Sequence, residues 1–139
     1  MACLRDIVFD ATHPASLARF WAAALDGYSV APYDERELAR LRSLGIDSPE
    51  DDPTVLVEGP KGAPRLWFQR VPEARSAKNR MHLDLDADDT DAEINRLTAL
   101  GARLAVHQGS EHTLVLHDPE GNEFCVVGRA ARAAESKSN

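Results

Sequence analysis

Along the chain, apolar residues recur every second position in short stretches and every third or fourth position in longer ones, which predicts an order of strands and helices. The segment LRDIVFDA alternates, with Ile7 and Phe9 on one side and Asp6, Val8 and Asp10 on the other, as a strand requires. THPASLARFWAAALDGY follows: Thr12 or His13 caps a helix that Pro14 starts, and Gly27 lies just past its end. Leu17, Phe20, Trp21 and Leu25 fall at helical spacing, an apolar stripe that places Phe20 and Trp21 in the core. YSVAPY predicts a short strand. DERELARLRSLGIDSPEDDP predicts a surface helix closed by Gly45, then an acidic loop. TVLVEG and RLWFQRV, joined by GPKGAP, predict a hairpin.

The pattern then starts again. NRMHLDLDADD alternates as a strand, with His82, Asp84 and Asp86 opposite Met81, Leu83 and Leu85. TDAEINRLTALG predicts a helix with a capping box from Thr90 to Glu93 and a stop at Gly101. ARLAVHQ, HTLVLHD and EFCVVG read as three more strands, the last two joined by the turn sequence DPEGN. DIVFDAT aligns with HLDLDAD, setting Asp6 opposite His82 and Asp10 opposite Asp86. WFQRV lies over EFCVV, setting Gln69 opposite Cys125. Each half is βαβββ and too small to bury its sheet well alone. The prediction is therefore an α+β fold of two tandem βαβββ modules, residues 4–72 and 79–128. They form a curved mixed sheet around a cleft, with helices on the outer face. Residues 129–139 read as a flexible tail.

Composition narrows the function. The 139 residues carry a formal net charge of -7 and no basic cluster, so nucleic acid and anionic membrane surfaces are poor partners. No apolar run reaches the roughly 20 residues of a membrane span, and MACLRDIVFD lacks the apolar segment of a signal peptide. Two cysteines, Cys3 and Cys125, make no disulfide framework, and the expected setting is reduced and cytoplasmic.

LARFWAAALDGY, LWFQRVPE, RMHLDLDADD and DPEGNEFCVV, in this order over roughly residues 4–128, resemble the vicinal oxygen chelate superfamily and, within it, the glyoxalase-like domain proteins. The resemblance implies paired modules around a cleft and, in many members, a divalent metal held by one residue from each of four strands. Carried onto this chain, the opening-strand position seven residues before Asp89 is His82, and its first-half counterpart is Asp6. The closing-strand position seven after Asp118 is Cys125, with Gln69 as its counterpart. The family pattern there is histidine and glutamate, so three of these four positions depart from it. Asp, Gln, His and Cys form no coherent donor set for one metal. No cofactor is expected. If a metal binds, the ligands are His82, Asp6 and Cys125, a zinc-type trio that requires a deprotonated cysteine.

Each candidate keeps more than one reading. His82 is a surface histidine, a ligand contact, a metal ligand or a general base. Trp67 and Gln69 share a strand face opposite Leu66 and Phe68, so Trp67 either lines the cleft or fills the module junction. Cys125 is read first as a buried, inert thiol. Glu123, two residues earlier on the same face, is a ligand contact, a proton shuttle or a rim charge. His13 reads as a helix cap, and His107, His112 and His117 as surface residues. The favoured function is a metal-free protein binding a small organic molecule through Asp6, Trp67, Gln69, His82, Glu123 and Cys125, as antibiotic-sequestering members of the superfamily do. The alternative is a metal-dependent lyase, isomerase or dioxygenase in which His82 or Glu123 moves the proton. Family members often pair, so a homodimer is expected.

Overall fold

Apolar residues on alternate strand positions need a partner layer, and in each half of the chain one helix supplies it. A computed structural model describes residues 1–105 and 113–129. The chain falls into two units, Met1–Ala74 and Arg75–Asn139.

The first unit runs β1 (Asp6–Ala11), α1 (Pro14–Ala24), β2 (Ser29–Val30), α2 (Glu35–Ser43), a single 3₁₀ turn at Pro49–Asp51, β3 (Thr54–Glu58) and β4 (Arg65–Arg70). Its four-stranded sheet has the order β1-β4-β3-β2, with β1 parallel to β4 and the other pairs antiparallel. The ladder sets Ile7, Leu66 and Val57 in one row and Phe9, Phe68 and Val55 in another. Val55, Val57, Leu66 and Phe68 are buried beneath α1, which packs on β3 and β4 through Leu17, Ala18 and Trp21. Phe9 stacks on Phe68 with ring centroids 4.9 Å apart and lies 5.4 Å from Trp21. Phe20 and Trp21 are core residues, as their spacing predicts. In the β3–β4 turn Gly59 lies under the Tyr28 ring, where a Cβ would come within 2.4 Å of Cζ.

The second unit runs β5 (Leu83–Ala87), α3 (Thr90–Ala99), β6 (Arg103–Leu104), β7 (Thr113–His117) and β8 (Glu123–Gly128). The sheet order β5-β8-β7-β6 repeats that of the first unit, again with the outer β5–β8 pair parallel. Leu116, Phe124 and Val126 are buried with Leu97 of α3. The α+β fold of two tandem βαβββ modules is thus present, each module with its own four-stranded mixed sheet. Among the described residues no helix is long and apolar enough to cross a membrane.

Several expected details shift. YSVAPY contributes only Ser29–Val30 to the ladder. His13 occupies the N-cap position of α1, but its side chain makes no capping hydrogen bond. The α3 cap is Asp89, whose carboxylate accepts from Ala92 N–H at 3.0 Å, one residue earlier than the Thr90–Glu93 box predicts. The strand expected from Asn79 begins at Leu83, because Asn79 N–H donates to the Glu123 carboxylate at 3.0 Å instead of joining a ladder. His117 is half-buried at the end of β7, level with Glu123. His107, His112 and the tail beyond Arg129 lie outside the described residues. Arg129 itself pairs with Asp88 at 3.1 Å.

The register keeps Asp6 opposite His82 but corrects the closing-strand half of the internal alignment. Ala11 and Ala87 end equivalent strands, and α1 and α3 start three residues after each. Val8 is then the counterpart of Asp84, and the ladder pairs Val8 with Trp67 and Asp84 with Cys125. Trp67, not Gln69, is therefore the structural counterpart of Cys125.

The two sheet faces differ in what they contribute to stability. Phe68→Ala, which empties the row under α1, is expected to cost about 3–5 kcal/mol in denaturant unfolding. Val8→Ala, on the opposite and 53% exposed face, is expected to cost less than about 1 kcal/mol.

Candidate functional site

On the face of the first sheet opposite α1, three rows of side chains run across β1, β4 and β3. Asp6 lies beside Arg65, Val8 beside Trp67 and Leu56, and Asp10 beside Gln69 and Thr54. Asp6 accepts a bidentate pair from Arg65, Nε at 2.7 Å and Nη2 at 3.0 Å, and a further bond from Arg5 Nε at 2.9 Å. The Arg65 hydrogen bonds hold the Asp6 carboxyl below its ordinary range against the opposing effect of burial, with Arg5 adding to the same direction. Gln69 Nε2 donates to Asp10 Oδ1 at 2.8 Å. Trp67 stands between these polar rows with the Arg65 guanidinium carbon 5.6 Å from its ring centroid.

Trp67 also lines a cavity of about 180 Å³ with Tyr33, Glu37, Asp52, Thr54 and Leu56. Asp52 is buried at 1% exposure, and its charge is answered on three sides. Tyr33 O–H donates at 2.8 Å, Thr54 N–H at 3.0 Å and Arg40 Nη2 at 3.4 Å. Burial and the Asp52 carboxylate push the Tyr33 phenol far above its usual value, so it stays neutral and directs its proton at Asp52.

In the second sheet the polar face gathers His82, Asp84 and Cys125. His82 Nε2 lies 3.2 Å from Asp84 Oδ1, and one ligand-type atom from each of the three residues falls within 4.8 Å of the others. Burial raises the Cys125 thiol above its ordinary value, and the Asp84 charge and hydrogen bond raise it further, outweighing Lys78. Cys125 is thus a neutral thiol near pH 7 and only part-buried. Glu123 is engaged by the Arg75 guanidinium and by Asn79 N–H, while Asn79 Nδ2 reaches Asn122 Oδ1 at 3.3 Å. Burial works against ionisation of Glu123, but the Asn79 N–H and the Arg75 and Lys78 charges prevail and lower its pKa. In the first module, then, Asp6 and Gln69 bind strand neighbours while Trp67 opens onto the cavity. In the second, His82 and Cys125 meet through Asp84, and Glu123 anchors the 75–79 segment.

Asp84 is not one of the four positions that the family resemblance picks out, and it is the residue that joins His82 and Cys125. Only the β5–β8 register reveals this, since Asp84 pairs with Cys125. Tyr33 and Asp52 lie in connections between elements, where no periodicity marks them. Asp6, Gln69, His82 and Cys125 together do not fit a divalent metal. The Asp6 carboxylate is held by two guanidinium groups, the Gln69 amide is bonded to Asp10, and the position equivalent to Cys125 in the first module is an indole. His82, Asp84 and Cys125 are donor types that zinc accepts, but the thiol is held protonated and the other two side chains are 47% and 61% exposed.

The family model described as glyoxalase-like domain matches residues 6–127. No curated protein matches the chain. The chain is similar in structure to a glyoxalase/bleomycin resistance/dioxygenase family enzyme from Burkholderia phytofirmans PsJN, with a TM-score of 0.61, 18% identity and coverage of 91% of this chain and 98% of that one. It is also similar to the trypanothione-dependent glyoxalase I of Leishmania major, at a TM-score of 0.62 and 12% identity over 99% and 94% of the two chains. The antibiotic-binding protein TnmS3 from Streptomyces sp. CB03234 gives 0.53 and 18% identity over 92% and 96%. At these identities the likeness is one of fold.

The Glu123 anchor makes stability depend on pH in a defined direction. Its folded pKa is depressed below the ordinary 4.5, so its contribution is complete above that value and is lost as pH falls through the folded pKa. Glu123→Gln is expected to be about 1–2 kcal/mol less stable than wild type at pH 7. The difference should narrow as unfolding is repeated below about pH 4.

Proposed function

The chain belongs to the glyoxalase-like domain family, and from that premise we propose that it binds a small organic molecule on the face of its first sheet opposite α1, without the family's set of metal ligands. The observation that carries this reading is Trp67. It stands on the sheet face opposite α1 and, with Glu37 of α2, lines a cavity of about 180 Å³. On its own sheet, the second module groups His82, Asp84 and Cys125 as further polar contacts, the thiol as a weak donor and the imidazole as donor or acceptor. Asp6, Gln69 and Glu123 act through the partners they hold: Asp6 fixes Arg65 beside the indole, Gln69 fixes the end of the row with Asp10, and Glu123 fixes the segment leading to His82. The fold serves both an antibiotic-binding protein and a glyoxalase I among its structural neighbours, so the side chains present must decide between binding and metal chemistry.

A second reading, a metal-dependent lyase, isomerase or dioxygenase, rests on the proximity of His82, Asp84 and Cys125. Such a centre would supply Lewis acidity, and His82 would be the residue to lose. Under the binding reading both cysteines are free thiols in a reduced, cytoplasmic setting, and the protein is a homodimer that engages neither nucleic acid nor membranes.

Thermal shift against a panel of metabolites and antibiotics tests the binding reading. A ligand at about 100 times its Kd stabilises by about 2.7 kcal/mol, a rise of several degrees in Tm. The shift is expected in wild type and absent in Trp67→Ala. A panel that produces no shift, or a shift retained in both Trp67→Ala and His82→Ala, contradicts the reading. Loss of Tm on adding a chelator would favour the metal-dependent one.

A further inference from the structure

The cavity beside Trp67 has a chemical bias that narrows its ligand. Two of its walls are aromatic, Trp67 and Tyr33, and a third is Leu56. Its charged lining groups are acceptors, and the Thr54 hydroxyl and Trp67 indole N–H are neutral donors. Asp52 is saturated by Tyr33, Thr54 and Arg40. The Tyr33 proton is already given to Asp52, which leaves only the lone pairs of the phenol oxygen. Glu37 Oε2 takes Arg40 Nε at 3.0 Å, and its other oxygen has no protein partner among the described residues. Two carboxylates therefore face one guanidinium, and the local balance is negative, in line with the chain's net charge of -7. The other nearby cation, Arg65, is neutralised by its bidentate pair with Asp6 and sits over the indole, so this ring already accommodates one cationic group.

We propose that this cavity takes the protonated nitrogen head group of a small, flat organic cation. The body of the ligand lies against Trp67 and Leu56, and its N–H groups meet Glu37 and the Tyr33 oxygen. The volume of about 180 Å³ is below the roughly 300–1,000 Å³ of sites for drug-sized ligands, which suits a head group of an amine or amidine and not a large molecule. An anionic ligand would meet two carboxylates answered by one guanidinium, and a neutral one would gain no charge attraction from them. This proposal rests on the reading that the sheet face of the first module opposite α1 binds a small molecule, and it adds the charge of that molecule.

Benzamidinium, benzamide and benzoate have the same shape and differ in charge, so they separate the two claims. Each is titrated into the millimolar range while the indole N–H signal of Trp67, assigned with Trp67→Phe, is followed by NMR. The expected result is a Trp67 response with benzamidinium at least about fivefold tighter than with either analogue. Glu37→Gln, an exposed helix substitution that leaves the fold intact, should weaken benzamidinium by about fivefold and abolish its preference over benzamide. A Trp67 response of equal or greater strength with benzamide or benzoate overturns the cation assignment and leaves small-molecule binding on this face standing. No Trp67 response to any of the three also overturns it, whereas the binding reading is judged by the metabolite panel.

Discussion

Parallel pairing of the opening and closing strands in each module, β1 with β4 and β5 with β8, determines which side chains can meet. A strand shows its two faces in strict alternation, so once Phe9, Phe68 and Val55 are committed to α1, Val8, Trp67 and Leu56 must face away from it. The same constraint in the second sheet turns Asp84 and Cys125 away from α3 when Phe124 and Val126 are buried. A one-residue slip in either pair would bury carboxylates and expose phenylalanines. The apolar rows thus hold in place the polar faces on which any ligand chemistry must occur.

On those faces, potential metal donors are committed to other partners. Asp6 serves Arg65 and Arg5, Gln69 serves Asp10, and Glu123 serves Arg75 and Asn79. Each pairing replaces what a metal would otherwise supply, a positive charge or donor close to an oxygen. Cys125 is the opposite case, since burial, with its neighbour Asp84 adding to it, raises the thiol's pKa and favours the neutral thiol. The indole of Trp67, at the position matching Cys125, offers area and a π face but no metal donor. Under the proposed reading, such a surface recognises its ligand through shape and charge.

Much of the fold was legible because it depends on local period. The stripe Leu17–Phe20–Trp21, the division of Leu66 and Phe68 from Trp67 and Gln69, and the glycine stops after the helices all follow from spacing and backbone freedom. The site was less legible because it depends on register between distant segments. Gln69 looked like the counterpart of Cys125 because WFQRV and EFCVV resemble each other, yet the ladder shifts the match by two residues. No sequence signal reports such a shift when the joining turns differ in length. The start of β5 was misplaced for a related reason: Asn79 meets Glu123 across a separation of 44 residues, a contact that periodicity does not encode. Tyr33 and Asp52 were missed because a buried tyrosine–carboxylate pair in a connection has no period at all.

The central claim is that the family's metal-ligand positions have been given over to metal-free recognition. Elemental analysis of protein purified without a metal-chelating tag tests it directly. The account predicts substoichiometric zinc, nickel, manganese and iron in wild type, and the same in His82→Ala. One equivalent of any of these metals in wild type, lost in His82→Ala, would contradict it.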